Sequence, residues 1–146
     1  MSTDVLTTDR LILGGSARTR EEAIDEGGRL LVSAGAVDEA YLAAMHEREA
    51  LVSTYMGNYL AIPHGTNEAK DAIHASAMTL VRYDEPIDWD GNPVRVVATI
   101  AGKDGGHMAV LSSLALVFSD DAAVPQVLEA DSPEAVLAVL GDVNAG

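Results

Sequence analysis

The 146-residue chain contains no cysteine. That excludes disulfide bonds, thiolate nucleophiles and thiolate metal sites. Lysine is almost missing too: only Lys70 and Lys103 stand beside seven arginines, which disfavours a lysine Schiff-base enzyme. No apolar run reaches membrane-spanning length, and Met1-Ser2-Thr3-Asp4 lacks the basic-then-apolar order of a signal peptide. The expectation is a cytoplasmic protein without direct membrane insertion. Positive charge is scarce, with 9 basic against 23 acidic residues and a formal net charge of −14. That balance argues against nucleic acid and against anionic membrane surfaces. It suits a basic protein partner, or serves solubility alone.

Several catalytic signatures are also absent. There is no HExxH pattern, no GxSxG elbow, no Walker loop and no GxGxxG fingerprint. Ser112 and Ser113 fall in an apolar helical stripe, which disfavours a serine hydrolase. What the chain does have is apolar mass. Hydrophobic residues make up 48%, and the mean hydropathy is +0.13. This is enough for a compact core, and residues 1–146 are expected to form a single domain.

Strand-like and helix-like segments alternate along the chain. Arg10–Leu13 reads as a short strand. Thr19 is an N-cap candidate with Glu22 at the capping-box position, opening a helix to about Ser33 that Gly27-Gly28 should weaken. Asp38 is expected to cap a second helix to about Ala50. Tyr55–Asn58 reads as a turn, and a short strand then delivers Ile62-Pro63-His64-Gly65. Ser76–Tyr83 and the β-branched Val94–Ala101 read as strands, with Asp84–Pro93 as a polar loop carrying the only tryptophan, Trp89. After the glycine-rich turn Gly102–Gly106 come a helix from His107 to Phe118 with an apolar stripe including Leu114 and Ala115, and a short helix from Asp121 to Glu129. A last helix, capped by Ser132 with Pro133 at its first position, runs to Leu140 and is closed by Gly141. The alternation predicts an α/β layered sandwich, a mixed β-sheet flanked by helices on both faces.

The chemistry centres on histidine. His64 follows a strand and a proline that has no N–H to give, and Gly65 lets the backbone approach whatever the imidazole carries. His107 follows the glycine-rich turn and opens a helix, where free N–H groups favour an anion. Two imidazoles beside an anion suit proton transfer, metal ligation or phosphoryl transfer. Each histidine could equally be a turn-stabilising or surface residue. His46 reads as solvated on a charged helix face, and His74 as structural or surface. Arg48 is the best cation for gripping phosphate, although by spacing alone a surface pair with Glu47 or Glu49 is the simpler reading.

The segment Gly57-Asn58-Tyr59-Leu60-Ala61-Ile62-Pro63-His64-Gly65-Thr66 resembles the active-site signature of the mannitol/fructose-type enzyme IIA domains (EIIA type 2) of the bacterial sugar phosphotransferase system. Its continuation, Asn67-Glu68-Ala69-Lys70-Asp71, is closer to the mannitol branch. The likeness extends through Ala44–Glu49 and Thr54–Gly57 upstream, and through Val94–Ala101 and His107–Leu114 downstream. It covers nearly the whole chain.

The resemblance implies that His64 accepts a phosphoryl group from the phosphocarrier HPr on Nε2, as a phosphohistidine, and passes it to a IIB component during sugar uptake, with mannitol the sugar suggested by the branch. It implies that His107 helps hold the phosphoryl group and that Arg48 lies near it. Asn58 stands where some mannitol-type members carry an acid. No cofactor or metal is required. The IIB acceptor, commonly a cysteine, must lie on another chain, as must the membrane-spanning IIC part. Two other functions stay open at this point. One is a regulatory phosphoprotein of the same fold. The other is a metal-dependent hydrolase using His64 and His107, with Asp71 or Asp104 as a further ligand.

Overall fold

In the computed structural model the described residues are 6–65, 71–102 and 108–140. The expectations placed on residues 103–106, His107 and Gly141 lie outside them, as do Asp104, Thr66 and Lys70. A 3-10 turn at Thr8–Arg10 leads into β1 (Leu11–Ile12). Then follow α1 (Arg20–Ser33), α2 (Ala40–Leu51), β2 (Tyr55–Gly57), β3 (Leu60–Ala61), β4 (Ala77–Trp89) and β5 (Asn92–Ala101). Three helices complete the chain: α3 (Met108–Phe118), α4 (Val124–Leu128) and α5 (Pro133–Leu140).

The strands form one five-stranded sheet in the order β1-β4-β5-β3-β2. β1 is parallel to β4, β4 antiparallel to β5, β5 parallel to β3 and β3 antiparallel to β2, so the sheet is mixed. Side chains alternate between the two faces, as the pleat requires. Met78, Leu80, Val96, Ala98 and Ile100 pack with Leu114, Val127, Val136 and Leu140 from α3, α4 and α5. Val81, Tyr83, Val97 and Ala101 pack on the other face with Ile24, Leu31, Tyr41 and Met45 from α1 and α2. Helices therefore cover both faces, as the alternation predicts. Arg82 ties the layers together, its Nη1 donating to the carbonyls of Val127 and Ala130 at 3.0 and 2.8 Å.

The cap on α1 is as expected: Glu22 N–H donates to Thr19 Oγ1 at 3.1 Å. At α5, Ala135 N–H donates to Ser132 Oγ at 3.2 Å. Asp38 does not cap α2. Its carboxylate takes His74 Nε2 at 2.7 Å, and Glu39 stands at the cap without a side-chain bond.

Gly27 and Gly28 have a packing role that helix propensity alone does not reveal. A Cβ on Gly27 would lie 2.3 Å from Thr99 Cγ2, and one on Gly28 would lie 2.1 Å from Leu42 Cδ2. The missing methyls let α1 lie close on the sheet and on α2. On α3, Leu114, Val117 and Phe118 are buried, whereas Ala115 is exposed, so the apolar stripe turns away from Ala115. The short helix after Asp121 is also narrower than expected, spanning only Val124–Leu128.

Two segments read as loop or turn are strand. β4 continues through Asp84–Asp88 to Trp89 and returns through Asp90-Gly91, a two-residue hairpin loop with φ of 54° and 90°. An Asp-Gly pair suits that left-handed geometry. Alternation buries Ile87, Trp89 and Val94 and leaves Asp84, Glu85 and Asp88 in solvent, which is why the segment looks polar. Tyr55–Gly57 is the edge strand β2. It reverses through Asn58-Tyr59 at φ of 50° and 72° before pairing with β3.

Candidate functional site

β3 runs parallel to the C-terminal half of β5, with Leu60 opposite Val96 and Ala61 opposite Val97. The chain keeps that register past the end of the strand, so His64 bridges to Ile100. Pro63 does not end the pairing as its missing N–H suggests. Its carbonyl accepts from Ile100 N–H at 3.0 Å, while Ile62 N–H turns the other way to Thr54 O at 3.1 Å. His64 is thereby held beside the C-terminal end of β5, where ligands commonly bind in open α/β sheets.

The half-buried His64 ring makes one decisive contact. Its Nδ1 lies 2.8 Å from the carbonyl oxygen of Ile62. A carbonyl can only accept, so Nδ1 carries the hydrogen. In the neutral ring Nε2 is then left with its lone pair and no proton. That is the state a nucleophile or a metal ligand needs.

The residue after His64, Gly65, is held by Tyr41. Gly65 N–H donates to the hydroxyl of Tyr41 at 2.9 Å, and that hydroxyl donates to Ile100 O at 2.8 Å. Burial pushes the Tyr41 phenol above its ordinary pKa, with the Gly65 bond opposing in part, so it remains a neutral donor. In the sequence Tyr41 shares helical spacing with Leu42 and Met45, which marks it as a core residue of α2. No pattern of spacing marks it as a neighbour of His64.

Arg48 occupies the last turn of α2, and its Nη1 donates to Val52 O at 2.6 Å. This satisfies one of the carbonyls a helix end leaves open. Among the described residues it makes no hydrogen bond to His64 and no ion pair with Glu47 or Glu49. Glu49 is instead buried. It accepts from Thr54 N–H at 3.0 Å, from the Thr54 hydroxyl at 2.5 Å and from Trp89 Nε1–H at 2.9 Å. Among the described residues the bonds that link Arg48 to the His64 strand run through the chain it caps, from Val52 to Thr54 and so to Ile62.

His46 is not simply solvated. Its Nε2 meets Asp25 at 2.8 Å, linking α2 to α1. Asn58, in the β2–β3 turn, donates through Nδ2 to Phe118 O at 2.6 Å and ties the turn to the end of α3. Beside Ile62 lies an apolar cleft of about 340 Å³ whose walls include Met56, Leu60, Leu114 and Phe118. Met56, in its wall, is exposed, as is Tyr59 next to Leu60. Among the described residues no group of three His, Asp or Glu side chains is arranged to hold a metal ion.

The profile of the family described as phosphoenolpyruvate-dependent sugar phosphotransferase system, EIIA 2, matches residues 4–143. A protein of Halalkalibacterium halodurans named mannitol-specific phosphotransferase enzyme IIA component is 48% identical over 144 residues, covering 99% of each chain. Among solved structures, the crystal structure of IIA mannitol from Escherichia coli superposes with a TM-score of 0.84 at 34% identity, covering 93% of this chain and 99% of that one. The structure of enzyme IIAMTL in complex with phosphorylated enzyme IIBMTL, also from Escherichia coli, gives the same TM-score and identity over 92% of this chain and 96% of the other. The unprotonated Nε2 of His64, the mixed sheet covered by helices on both faces and a match over almost the full length agree: this chain belongs to the EIIA type 2 family of the sugar phosphotransferase system.

Proposed function

We propose that this chain is the mannitol-branch phosphocarrier, with His64 Nε2 as the atom that carries the phosphoryl group. The observation that carries this reading is the Ile62 carbonyl on Nδ1, which fixes the tautomer and leaves Nε2 to attack. The Nε2 lone pair forms a bond to phosphorus as the bond from phosphorus to the phospho-HPr donor breaks. The Nδ1 proton stays where it is. Return of the group to an acceptor breaks the same Nε2–P bond, whose ready cleavage keeps the transfer potential high. Little covalent chemistry is asked of the protein beyond positioning and charge stabilisation.

His107 and Arg48 are the groups we assign to steadying the phosphoryl oxygens. Among the described residues Arg48 Nε and Nη2 make no hydrogen bond, which leaves donors for an anion. The acceptor is a IIB component. This accords with the related IIAMTL structure, which holds phosphorylated IIBMTL. The apolar cleft next to Ile62 and the exposed Met56 and Tyr59 suit a protein docking beside His64. Among the described residues no helix is long and apolar enough to cross a membrane, in keeping with a carrier working in the cytoplasm.

Incubation with phosphoenolpyruvate, enzyme I and HPr, followed by intact mass, tests the donor half. Addition of a mannitol-type IIB chain tests the acceptor half. The expected result is one acid-labile phosphoryl group on wild type, none on His64→Ala, and its loss to IIB. A protein that labels but gives nothing to IIB would contradict the transport reading and leave a regulatory phosphoprotein.

A further inference from the structure

We propose that Tyr41 is a positioning residue for His64, its hydroxyl standing in for the rung of the parallel ladder just beyond the histidine. The proposal rests on the reading of His64 as the phosphoryl acceptor. The register between the β3 segment and β5 is constant from Leu60 to His64. In such a ladder, the N–H groups of every second residue point toward the partner strand. On the His64 side these belong to residues 61, 63 and 65. Pro63 has none to give. The next rung would run from Gly65 N–H directly to Ile100 C=O.

Instead the Tyr41 oxygen stands between them, accepting from Gly65 at 2.9 Å and donating to Ile100 at 2.8 Å. The Tyr41 hydroxyl thus joins the backbone of Gly65 to that of Ile100 at the last described step of the ladder.

Two further features show that the arrangement is built. Tyr41 is 2% exposed and belongs to the first turn of α2, so its hydroxyl comes from a rigid part of the core. Gly65 lies flat on its ring: a Cβ there would be 2.5 Å from Cε1 and 3.0 Å from Cζ. Glycine at 65 and tyrosine at 41 therefore fit as a pair. Between them they hold the backbone after His64, while the Ile62 carbonyl on Nδ1 orients the imidazole. Removal of the hydroxyl leaves Gly65 N–H and Ile100 C=O either unpaired or closing on each other. Both outcomes shift His64, and a misplacement of about 1 Å at a reacting group can cost up to roughly 100-fold in rate.

The test is Tyr41→Phe, which keeps the ring and deletes only the hydroxyl. Phosphoryl transfer from phospho-HPr is measured as kcat and KM, beside the ¹⁵N spectrum of the His64 ring and a thermal melt. The expected result is a kcat lower by about 10- to 100-fold with KM unchanged, and ring signals that move away from the single Nδ1–H form. A variant within twofold of the wild-type kcat, with unchanged ring signals, would overturn the proposal while leaving His64 as acceptor. Wild type that takes no phosphoryl group would overturn both readings. If Tyr41→Phe fails to melt cooperatively, Gly65→Ala carries the test. It keeps the hydroxyl but forces the backbone at residue 65 off the Tyr41 ring, and the same loss of kcat is expected; a wild-type rate there would overturn the proposal.

Discussion

Replacing Glu49 with alanine should be among the most damaging single changes available outside the apolar core. The carboxylate is 5% exposed and serves two donors through Oε2, Thr54 N–H and Trp89 Nε1–H, and a third, the Thr54 hydroxyl, through Oε1. Trp89 is fully buried and Thr54 is 4% exposed, so neither donor recovers water as a partner. A buried donor left without an acceptor costs about 1–3 kcal/mol. Two orphaned N–H groups therefore cost about 2–6 kcal/mol, and the cavity left by the side chain adds to that. For a chain of this size each kcal/mol moves Tm by roughly 2–4 °C, so Glu49→Ala should melt about 10 °C below wild type.

Glu49→Gln provides the control. Its amide oxygen can replace Oε2 and its NH₂ can donate to Thr54 Oγ1, whose hydroxyl rotates to accept, so only the charge assistance is lost. The expected cost is about 1 kcal/mol. Trp89 is the only tryptophan, so its fluorescence reports directly on the bond in question and can be followed with far-UV circular dichroism during the melt. Equal melting temperatures for Glu49→Ala and wild type, within about 2 °C on the same scale, would refute the reasoning. Thr54 and Trp89 would then have found other acceptors.

Three further changes test other parts of the account. Gly27→Ala should destabilise despite alanine's better helix propensity, because its methyl meets Thr99 at 2.3 Å. Overpacking of this kind costs about 1–3 kcal/mol against roughly 1 kcal/mol gained in propensity, and urea unfolding reads the sign. Tyr59→Gly should stabilise by about 1 kcal/mol, since Tyr59 holds φ of 72° in a two-residue turn that an Asn-Gly pair would fit without strain; a lower urea midpoint would contradict this. The Glu26 carboxyl is opposed by burial, but bonds from the Tyr83 hydroxyl, the Ser16 and Ala17 N–H groups and the Ser16 hydroxyl outweigh it and hold its pKa below the ordinary 4.5. A carboxyl depressed in the folded state stabilises above its unfolded pKa and loses that contribution as pH falls through the folded value. The stability difference between wild type and Glu26→Gln should thus shrink steadily as pH falls below about 4.5. A difference that stays constant through that acid range would show that Glu26 does not titrate with folding.

Much of this molecule can be read from its residues, for identifiable reasons. The β-branched run Val94–Ala101 and the Thr19 cap are local signals, and the structure places β5 and the start of α1 accordingly. The Asp84–Pro93 segment misleads because one face of the β4–β5 hairpin is in solvent. Charged residues on that face conceal the alternation that buries Ile87 and Trp89, although Asp90-Gly91 is a recognisable hairpin pair. Gly27 and Gly28 look like weaknesses because propensity says nothing of a neighbouring strand or helix. At the site, His64 stands out by its Pro-His-Gly context. Its tautomer does not, because it depends on where the Ile62 carbonyl points. Tyr41 and Glu49 are harder still, since each acts on residues distant in sequence, and no spacing rule connects them to Gly65 or Trp89.

The measurement that bears most directly on the central claim is the identity of the phosphorylated atom. The protein, labelled with ¹⁵N in its histidine rings, is phosphorylated by phospho-HPr and its ¹⁵N and ³¹P spectra are recorded. The account predicts phosphorus coupled to Nε2 of His64, with Nδ1 still protonated against Ile62. Phosphorus on Nδ1, or on any residue other than His64, would contradict it.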